Sequence, residues 1–248
     1  MDEIDQVYTY EDANCVESRR VLGEAVTLVQ DLINLYTALA DCIKTSKTGP
    51  RDEIVVSSQF LLACRYQLVM GSLAVLRCHL TDSFYSVRKA IEYCAFAGRV
   101  KKHPHLAMVW LNAATDEKTY KDYREKFSPG KLFPQDDAIL GQLSKRYDQC
   151  SKMAHPSIFS VSRHITVQST EKIFNIDFGY FDIKPKDPSE PFRTFLWIVD
   201  THFGIVRVFE RLFSEAIAQT KQQWVGQRNA VDQKVGVYKA QWRFRIMP

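Results

Sequence analysis

Apolar residues recur at three- and four-residue intervals through most of the first 155 positions, which is the spacing of helices that bury one face. Residues 21–43 show this spacing most clearly, and Gly49 and Pro50 follow, so the sequence predicts one long amphipathic helix with a defined end. The next run, 54–80, is apolar on most faces. It predicts a central helix covered on every side.

The pattern predicts further helices downstream. They cover residues 83–102, two shorter segments at 105–114 and 116–127, a stretch from about Asp136 to His155, and a long stretch from Phe192 to about Gln223.

After Pro156 the period falls from near four residues to two. Residues 157–169 and 172–182 alternate apolar with polar side chains around a polar turn, which predicts a β-hairpin. The predicted fold is therefore mainly α, a helix bundle with one inserted β-hairpin. Residues 1–220 form the bundle, the hairpin lies at about 158–181 on its edge, and 221–248 form a basic, aromatic C-terminal helix or tail.

Composition predicts a globular protein of a reducing compartment. The six cysteines are widely scattered without a C-x-x-C pair, so we expect buried thiols, with no disulfide framework and no zinc site. The acidic start lacks the apolar centre of a signal peptide. The chain has no run of about 18 uncharged apolar residues, so we expect no membrane span. We expect a cytoplasmic location and no membrane partner.

Positive charge is concentrated at the C-terminal end. The net formal charge is +4, yet residues 221–248 carry six basic residues against Asp232 alone. Interleaved aromatic rings make this segment suitable for a phosphate backbone and stacked bases. The alternative is an amphipathic helix that docks on the bundle with solvated charges. The candidate nucleic-acid contacts are Lys239, Trp242, Arg243 and Arg245.

Polar groups interrupt two otherwise apolar helices. Arg88 and Glu92 are one helical turn apart, and Tyr147, Ser151 and His155 follow at steps of four, which places them on one helix face. Buried charges need partners, so we expect the two faces to meet. If Glu92 accepts an imidazole proton, His155 can act as a general acid or base. The alternative is that the same groups satisfy one another and lock helix packing.

Two stretches carry a family resemblance. "SVRKAIEYCAFAGRVKKHPHLAMVWLNA" and "LSKRYDQCSKMAHPS" resemble a group of bacterial helical proteins placed near the HEPN superfamily, over about residues 77–165. That group has an Arg-x-x-x-Glu helix, a Pro-x-Leu-Ala-x-x-Trp-like stretch and a helix ending in Tyr-x-x-x-Ser-x-x-x-His-Pro-Ser. The matching positions are Arg88, Glu92, Pro104, Leu106, Ala107, Trp110, Tyr147, Ser151, His155, Pro156 and Ser157.

The resemblance implies a function. Many HEPN toxins and phage-defence proteins cleave RNA without metal, as dimers that join two Arg-x4-6-His motifs and use the RNA 2′-hydroxyl as the nucleophile. In this chain it implies a homodimer that acts on RNA without a cofactor. Arg99 and His105 have that spacing, but Pro104 between them interrupts the helix. The implied catalytic residues are therefore His155, Arg88, Glu92, Tyr147 and Ser151.

Two functions remain open after other sites are considered. The chain has no phosphate-binding or dinucleotide-binding glycine loop and no G-x-S-x-G elbow, and His103 and His105 lack further ligands for a metal. The first function is a HEPN-like, metal-independent ribonuclease or nucleic-acid-acting effector. The second is a non-catalytic helical interaction protein whose polar groups are structural and whose basic tail binds a partner.

Overall fold

The computed structural model describes residues 2–45, 51–128, 132–133, 137–154, 164–169, 174–181, 190–218 and 221–246. Over these ranges the chain is mainly helical, and the predicted helix bundle is confirmed. The helices are α1 (Glu3–Leu22), α2 (Thr27–Thr45), α3 (Asp52–Leu76), α4 (Leu80–Lys102), α5 (Leu106–Leu111), α6 (Glu117–Lys126), α7 (Ala138–Ala154), α8 (Glu190–Leu212), α9 (Ser214–Ile217) and α10 (Lys221–Ile246).

Two short strands lie between α7 and α8. β1 (Ile165–Ser169) and β2 (Phe174–Phe178) pair antiparallel, with Ile165 opposite Phe178 and Ser169 opposite Phe174. The residues that connect the strands, 170–173, lie outside the described ranges, and so does most of the predicted hairpin's first half.

The bundle is built around α3 and α4, which pack along most of their length. Three residues connect them, and the middle one, Cys78, has a φ of 65°, a left-handed conformation that turns the chain sharply. A side chain at Gly71 of α3 would place its Cβ 3.4 Å from the Cβ of Ser86, so glycine permits the close approach of the two helices. α2, α7 and α8 pack around this pair.

Aromatic and aliphatic side chains from all of these helices fill one core. Burial of this apolar surface is the main favourable contribution to folding, at about 25 cal/mol per Å². Among the largest fully buried side chains are Trp224, Tyr36, Phe60, Phe195, Phe209, Phe213, Leu28, Leu32 and Leu61.

One side of α3 is exposed, so the prediction that this helix is covered on every side is wrong. Leu62 and Tyr66 are exposed, whereas Phe60 and Leu68 are buried in the core. In sequence the helix is apolar on both sides, but one side packs in the core and the other is exposed.

Two helical stretches are long and apolar enough to cross a membrane by length and composition alone. They are Glu3–Lys44 and Asp52–Leu76, with mean hydropathy 1.2 and 1.3 in their most apolar windows. Half of that window in Asp52–Leu76 is buried against the protein, as in the core helix of a globular bundle.

The acidic N-terminal segment forms a helix that the sequence analysis did not predict. Asp2 caps α1 by accepting a 2.8 Å hydrogen bond from the backbone N–H of Asp5, and acidic residues in the first turn and basic ones in the last complement the helix dipole. Gly23 ends the helix with φ 55° and ψ −134°. The helix predicted from residue 21 therefore begins at Thr27, after a 3₁₀ turn.

The long helix predicted from 192 to 223 is divided. α8 ends at Leu212, α9 is a single turn, and α10 follows as a separate helix that packs on α2 and α8. Trp224 of α10 is buried, and its indole N–H donates a 2.9 Å hydrogen bond to Glu210 of α8. The core continues into the basic C-terminal segment.

Candidate functional site

Arg88, Glu92 and Tyr147 form a cluster where α7 packs on α4. Nη2 of Arg88 donates to the hydroxyl of Tyr147 at 2.9 Å, and that hydroxyl donates to Oε1 of Glu92 at 2.9 Å. Arg88 Nη2 also lies 3.4 Å from Glu92 Oε1. The sequence analysis predicted the meeting of these groups, and we call them the Arg88–Glu92–Tyr147 cluster.

Burial and the charges of the cluster together keep Tyr147 protonated. Burial raises the pKa of Tyr147, and the Glu92 carboxylate adds to this increase, although the hydrogen bond from Arg88 opposes it. Burial disfavours the Arg88 cation, but the Tyr147 hydrogen bond and the Glu92 charge outweigh burial and raise the pKa of Arg88. Tyr147 therefore keeps its proton at neutral pH and donates it in the hydrogen bond to Glu92.

The guanidinium of Arg88 also lies over the ring of Tyr147, with its central carbon 5.1 Å from the ring centroid. This cation–π contact holds the two side chains together in addition to their hydrogen bond. The ring of Phe133 lies on Tyr147 with centroids 5.5 Å apart. Tyr147 is thus enclosed from several sides and has one defined orientation.

Cys150, one turn after Tyr147, is not a reactive thiol. The side chain is fully buried, and burial raises the pKa of Cys150 to about 12, with Arg88 and Arg146 offsetting part of the increase. The nucleophilic form of cysteine is the thiolate, which is scarce at neutral pH when the pKa is so high.

The two remaining predicted catalytic residues are not brought into the cluster. The hydroxyl of Ser151 donates a 2.9 Å hydrogen bond to the backbone oxygen of Tyr147, four residues earlier in the same helix. His155 follows α7 and lies outside the described residues. The structure therefore joins three of the five predicted residues.

A second polar cluster, which the sequence analysis missed, joins α7, α8 and α10. Arg146 donates to Asp200 and to Thr201 at 2.5 Å each, and Lys239 donates to Asp200 at 2.6 Å. Burial acts to raise the pKa of Asp200, but the hydrogen bonds from Lys239 and Arg146 outweigh it and lower that pKa. Lys239, a predicted nucleic-acid contact, thus bonds to its own chain. No short sequence spacing connects these residues, so a pattern search cannot find them.

Other basic side chains of α10 also face acidic residues of the bundle. Arg228 lies 3.0 Å from Glu210, and Lys234 lies 2.8 Å from Asp31. These pairs neutralise part of the positive charge that singled out this segment. The other predicted nucleic-acid contacts are in the last turns of α10, and their side chains lie outside the described part: Trp242, Arg243 and Arg245.

A groove of about 710 Å³ lies beneath α1. It lies between α1, the end of α3, the start of α8 and the residues that follow β2. Its size is within the usual range of ligand pockets. The apolar and aromatic side chains that line it include Val7, Tyr10, Leu22, Val75, Phe181 and Phe192.

Contacts at the α3–α4 corner keep α1 beside this groove. Nε2 of His79 lies 3.0 Å from Glu11 of α1, and Asn14 donates to the backbone oxygen of Arg77 at 3.4 Å. The ring of His79 stacks on Phe181, with centroids 5.1 Å apart. The corner therefore joins α1 to the segment after β2.

No group of three or more His, Cys, Asp or Glu side chains arranged for a metal ion occurs among the described residues. His103 and His105 are both exposed, with ring centroids 6.1 Å apart.

Comparison with protein-family models, with curated proteins and with solved structures finds no match to the chain. The HEPN relationship stays a prediction. The fold and the site define a helical bundle in which a hydrogen-bonded cluster joins α4 to α7.

Proposed function

We propose that this protein is a non-catalytic helical interaction protein in which the Arg88–Glu92–Tyr147 cluster is structural. One observation carries the proposal: the three side chains hydrogen-bond to one another across the contact of α4 with α7. Arg88 donates to Tyr147, and Tyr147 donates to Glu92. A cluster of this kind fixes the packing of α4 on α7, because a buried polar group that loses its partner costs about 1–3 kcal/mol.

The surroundings of the cluster support a structural role. Tyr147 and Cys150 both have raised pKa values, so neither is an activated nucleophile or a base at neutral pH. The Ser151 hydroxyl bonds to the helix backbone. A reaction at this position would have to break contacts that stabilise the fold.

The groove beneath α1 is the best candidate for the partner site. Apolar and aromatic residues line it, as is usual where a protein holds an organic ligand or an apolar segment of a partner. The far end of α10 is a second candidate, because Arg243 and Arg245 add positive charge to its last turns.

The proposal is tested by assaying RNA cleavage and unfolding with the same proteins. Wild type, Glu92→Gln, His155→Ala and the control Asp148→Asn are incubated with a mixed single-stranded RNA and unfolded in urea. We expect no cleavage by any of them and a lowered unfolding midpoint for Glu92→Gln. Cleavage by wild type that His155→Ala abolishes at an unchanged midpoint would overturn the proposal.

A second candidate is the HEPN-like, metal-independent ribonuclease or nucleic-acid-acting effector of toxin or phage-defence systems. Partial exposure of the cluster favours it, since the side chains of Arg88 and Glu92 remain 21% and 26% accessible. In addition, the buried Nε of Arg88 has no hydrogen-bond partner among the described residues. In this function Arg88 stabilises phosphate charge and His155 transfers the proton.

Contact of the basic segment with nucleic acid can be tested separately. Binding of single-stranded RNA is measured over a salt series for wild type and for the double variant Arg243→Ala/Arg245→Ala. Loss of two phosphate contacts reduces the slope of log K against log salt by about 1.4. Lys239→Ala is the matched comparison, since its ammonium group already binds Asp200. Equal slopes for all three proteins exclude the nucleic-acid role.

We also infer that β1 and β2 belong to one β-hairpin inserted at the edge of the bundle, at about 158–181. Their antiparallel register supports this, with Val167 opposite Ile176. Directly after β2, Tyr180 and Phe181 contact the ring of His79. The inserted segment thereby contacts the α3–α4 corner.

A further inference from the structure

The outer side of α3 carries a row of four exposed apolar side chains, with one polar residue between the first and the second. Val55 is 40% exposed, Leu62 52%, Tyr66 58% and Met70 39%. At 3.6 residues per turn, these four positions fall within a sector of about 80° on the helix. Gln59 is in the same sector and is also exposed. We call these five residues the α3 stripe, which is about 22 Å long at 1.5 Å per residue.

The stripe differs from the scattered exposed apolar residues of ordinary surfaces. Single exposed apolar residues are common, whereas a contiguous apolar patch on a folded protein marks an interaction surface. Tyr66 and Met70 are also of types that are enriched at protein interfaces. The opposite side of the same helix is buried in the bundle, so the stripe is the most exposed side of α3 among the described residues.

Opposite charges stand at the two ends of the stripe. Asp52, in the first turn of α3, and Arg77, its C-cap residue, fall within the same sector of the helix. Both are exposed, and Arg77 keeps 46% of its side-chain surface although its Nε lies 3.9 Å from Glu11. Asp52 therefore supplies a carboxylate at one end of the stripe, and Arg77 supplies a guanidinium at the other.

This arrangement is complementary to itself when two copies of α3 run antiparallel. A two-fold axis near residue 64 places Asp52 of each copy opposite Arg77 of the other, because the two residues are equally far from it. A parallel arrangement would place like charges together, which is unfavourable.

The same axis brings two apolar residues together. It sets Leu62 against Tyr66 of the second copy, and Gln59 against Met70. One register therefore places the opposite charges together and also makes an apolar contact at the centre of the stripe.

We propose that the α3 stripe is the interface of an antiparallel homodimer of this chain. The pairing does not depend on whether the Arg88–Glu92–Tyr147 cluster is structural or catalytic, because the stripe is on a different helix. Two copies cover each other's stripe and complete the burial of α3 that one copy leaves unfinished.

The first test is the mass in solution. Sedimentation velocity from about 1 to 100 µM should give a species of twice the 28.7 kDa chain mass for wild type. Leu62→Glu places two like carboxylates near the two-fold axis and should weaken dimerisation at least tenfold. Tyr120→Glu is the matched control, because Tyr120 is equally exposed on α6, away from the stripe, and this variant should dimerise like wild type.

The second test is a charge exchange. Asp52→Arg and Arg77→Asp should each weaken the dimer, and the double variant should restore it. Far-UV circular dichroism and a urea midpoint for each variant distinguish lost pairing from lost folding. A wild type that is monomeric throughout, or a Leu62→Glu protein that dimerises as wild type does, would overturn the interface. Failure of the double variant to recover, with its fold intact, would overturn the antiparallel arrangement. Binding of wild type to phosphatidylcholine vesicles that Leu62→Glu abolishes would assign the stripe to a membrane instead.

Discussion

His202 and Tyr36 share a hydrogen bond inside the core, where Nδ1 of the imidazole lies 2.9 Å from the phenol oxygen. Both side chains are fully buried, one on α8 and the other on α2. Burial lowers the pKa of His202 to about 3, because the imidazolium cation would lose its hydration there. The ring is therefore neutral in the folded protein at pH values well above about 3.

This burial predicts a loss of stability in mild acid. An unfolded histidine binds a proton below about pH 6.5, whereas folded His202 does not until about pH 3. The free energy of unfolding should fall as the pH decreases through this window, by at most about 1.4 kcal/mol per pH unit from this group. His202→Asn, which cannot titrate, should be less stable than wild type at pH 7 and lose less stability on acidification. Urea unfolding at pH 7.0, 6.0 and 5.0 measures both, with His103→Asn at an exposed site as the control. A constant difference between wild type and His202→Asn at all three pH values would contradict this account.

The Arg88–Glu92–Tyr147 cluster predicts energetic coupling across the α4–α7 contact. Tyr147→Phe and Glu92→Gln each remove part of the same hydrogen-bond path, so their effects should not add. We expect a coupling energy of about 0.5–3 kcal/mol in a double-mutant cycle of urea unfolding. Ser151→Ala combined with Glu92→Gln is the comparison, because the Ser151 hydroxyl bonds to the backbone, and that pair should be additive. Additive effects of Tyr147→Phe and Glu92→Gln would mean that the cluster is not a unit.

Gly23 predicts a specific cost of adding a side chain. Its φ of 55° with ψ −134° is a conformation that residues with a Cβ rarely adopt, although no atom lies within 4 Å of an added Cβ. Gly23→Ala should therefore destabilise the protein by about 1–3 kcal/mol through backbone strain alone. Gly226→Ala is the matched control: it is exposed within α10, has equal space, and should stabilise by up to about 1 kcal/mol. Effects of equal sign in urea unfolding would contradict the role of φ.

Trp224 predicts that α10 is an integral part of the fold. Trp224→Ala removes a buried indole and its hydrogen bond to Glu210, so the free energy of unfolding should fall by about 3–5 kcal/mol. Lys234→Ala should have a much smaller effect, because its ion pair with Asp31 is on the surface and is screened by solvent. A small effect of Trp224→Ala in urea unfolding would indicate that α10 does not dock stably.

Helix periodicity predicted the bundle because most of its helices bury one continuous face. It failed for α1, whose only buried residue is Leu22 and whose stability comes instead from capping and end charges. It also failed for the outer side of α3, since an exposed apolar side chain and a buried one look alike in sequence.

The candidate site was predictable in part for a related reason. Arg88, Glu92 and Tyr147 interrupt apolar helix faces. Because a buried charge needs a partner, the sequence was enough to predict that these side chains meet. The pairs of Asp200 with Lys239 and of Asp31 with Lys234 were not predictable, because they depend on how distant helices dock. For that reason the sequence analysis overestimated how much of the positive charge at the C-terminal end is unpaired.

The docking of α10 has a consequence for the synthesis of the chain. Lys234 pairs with Asp31, about two hundred residues earlier, and Trp224 packs in the same region beside α2. The side of α2 that receives α10 is consequently uncovered on the ribosome until nearly the whole described chain has been made. At the usual rate of about 5–20 residues per second, this surface stays available to chaperones for roughly ten seconds or longer.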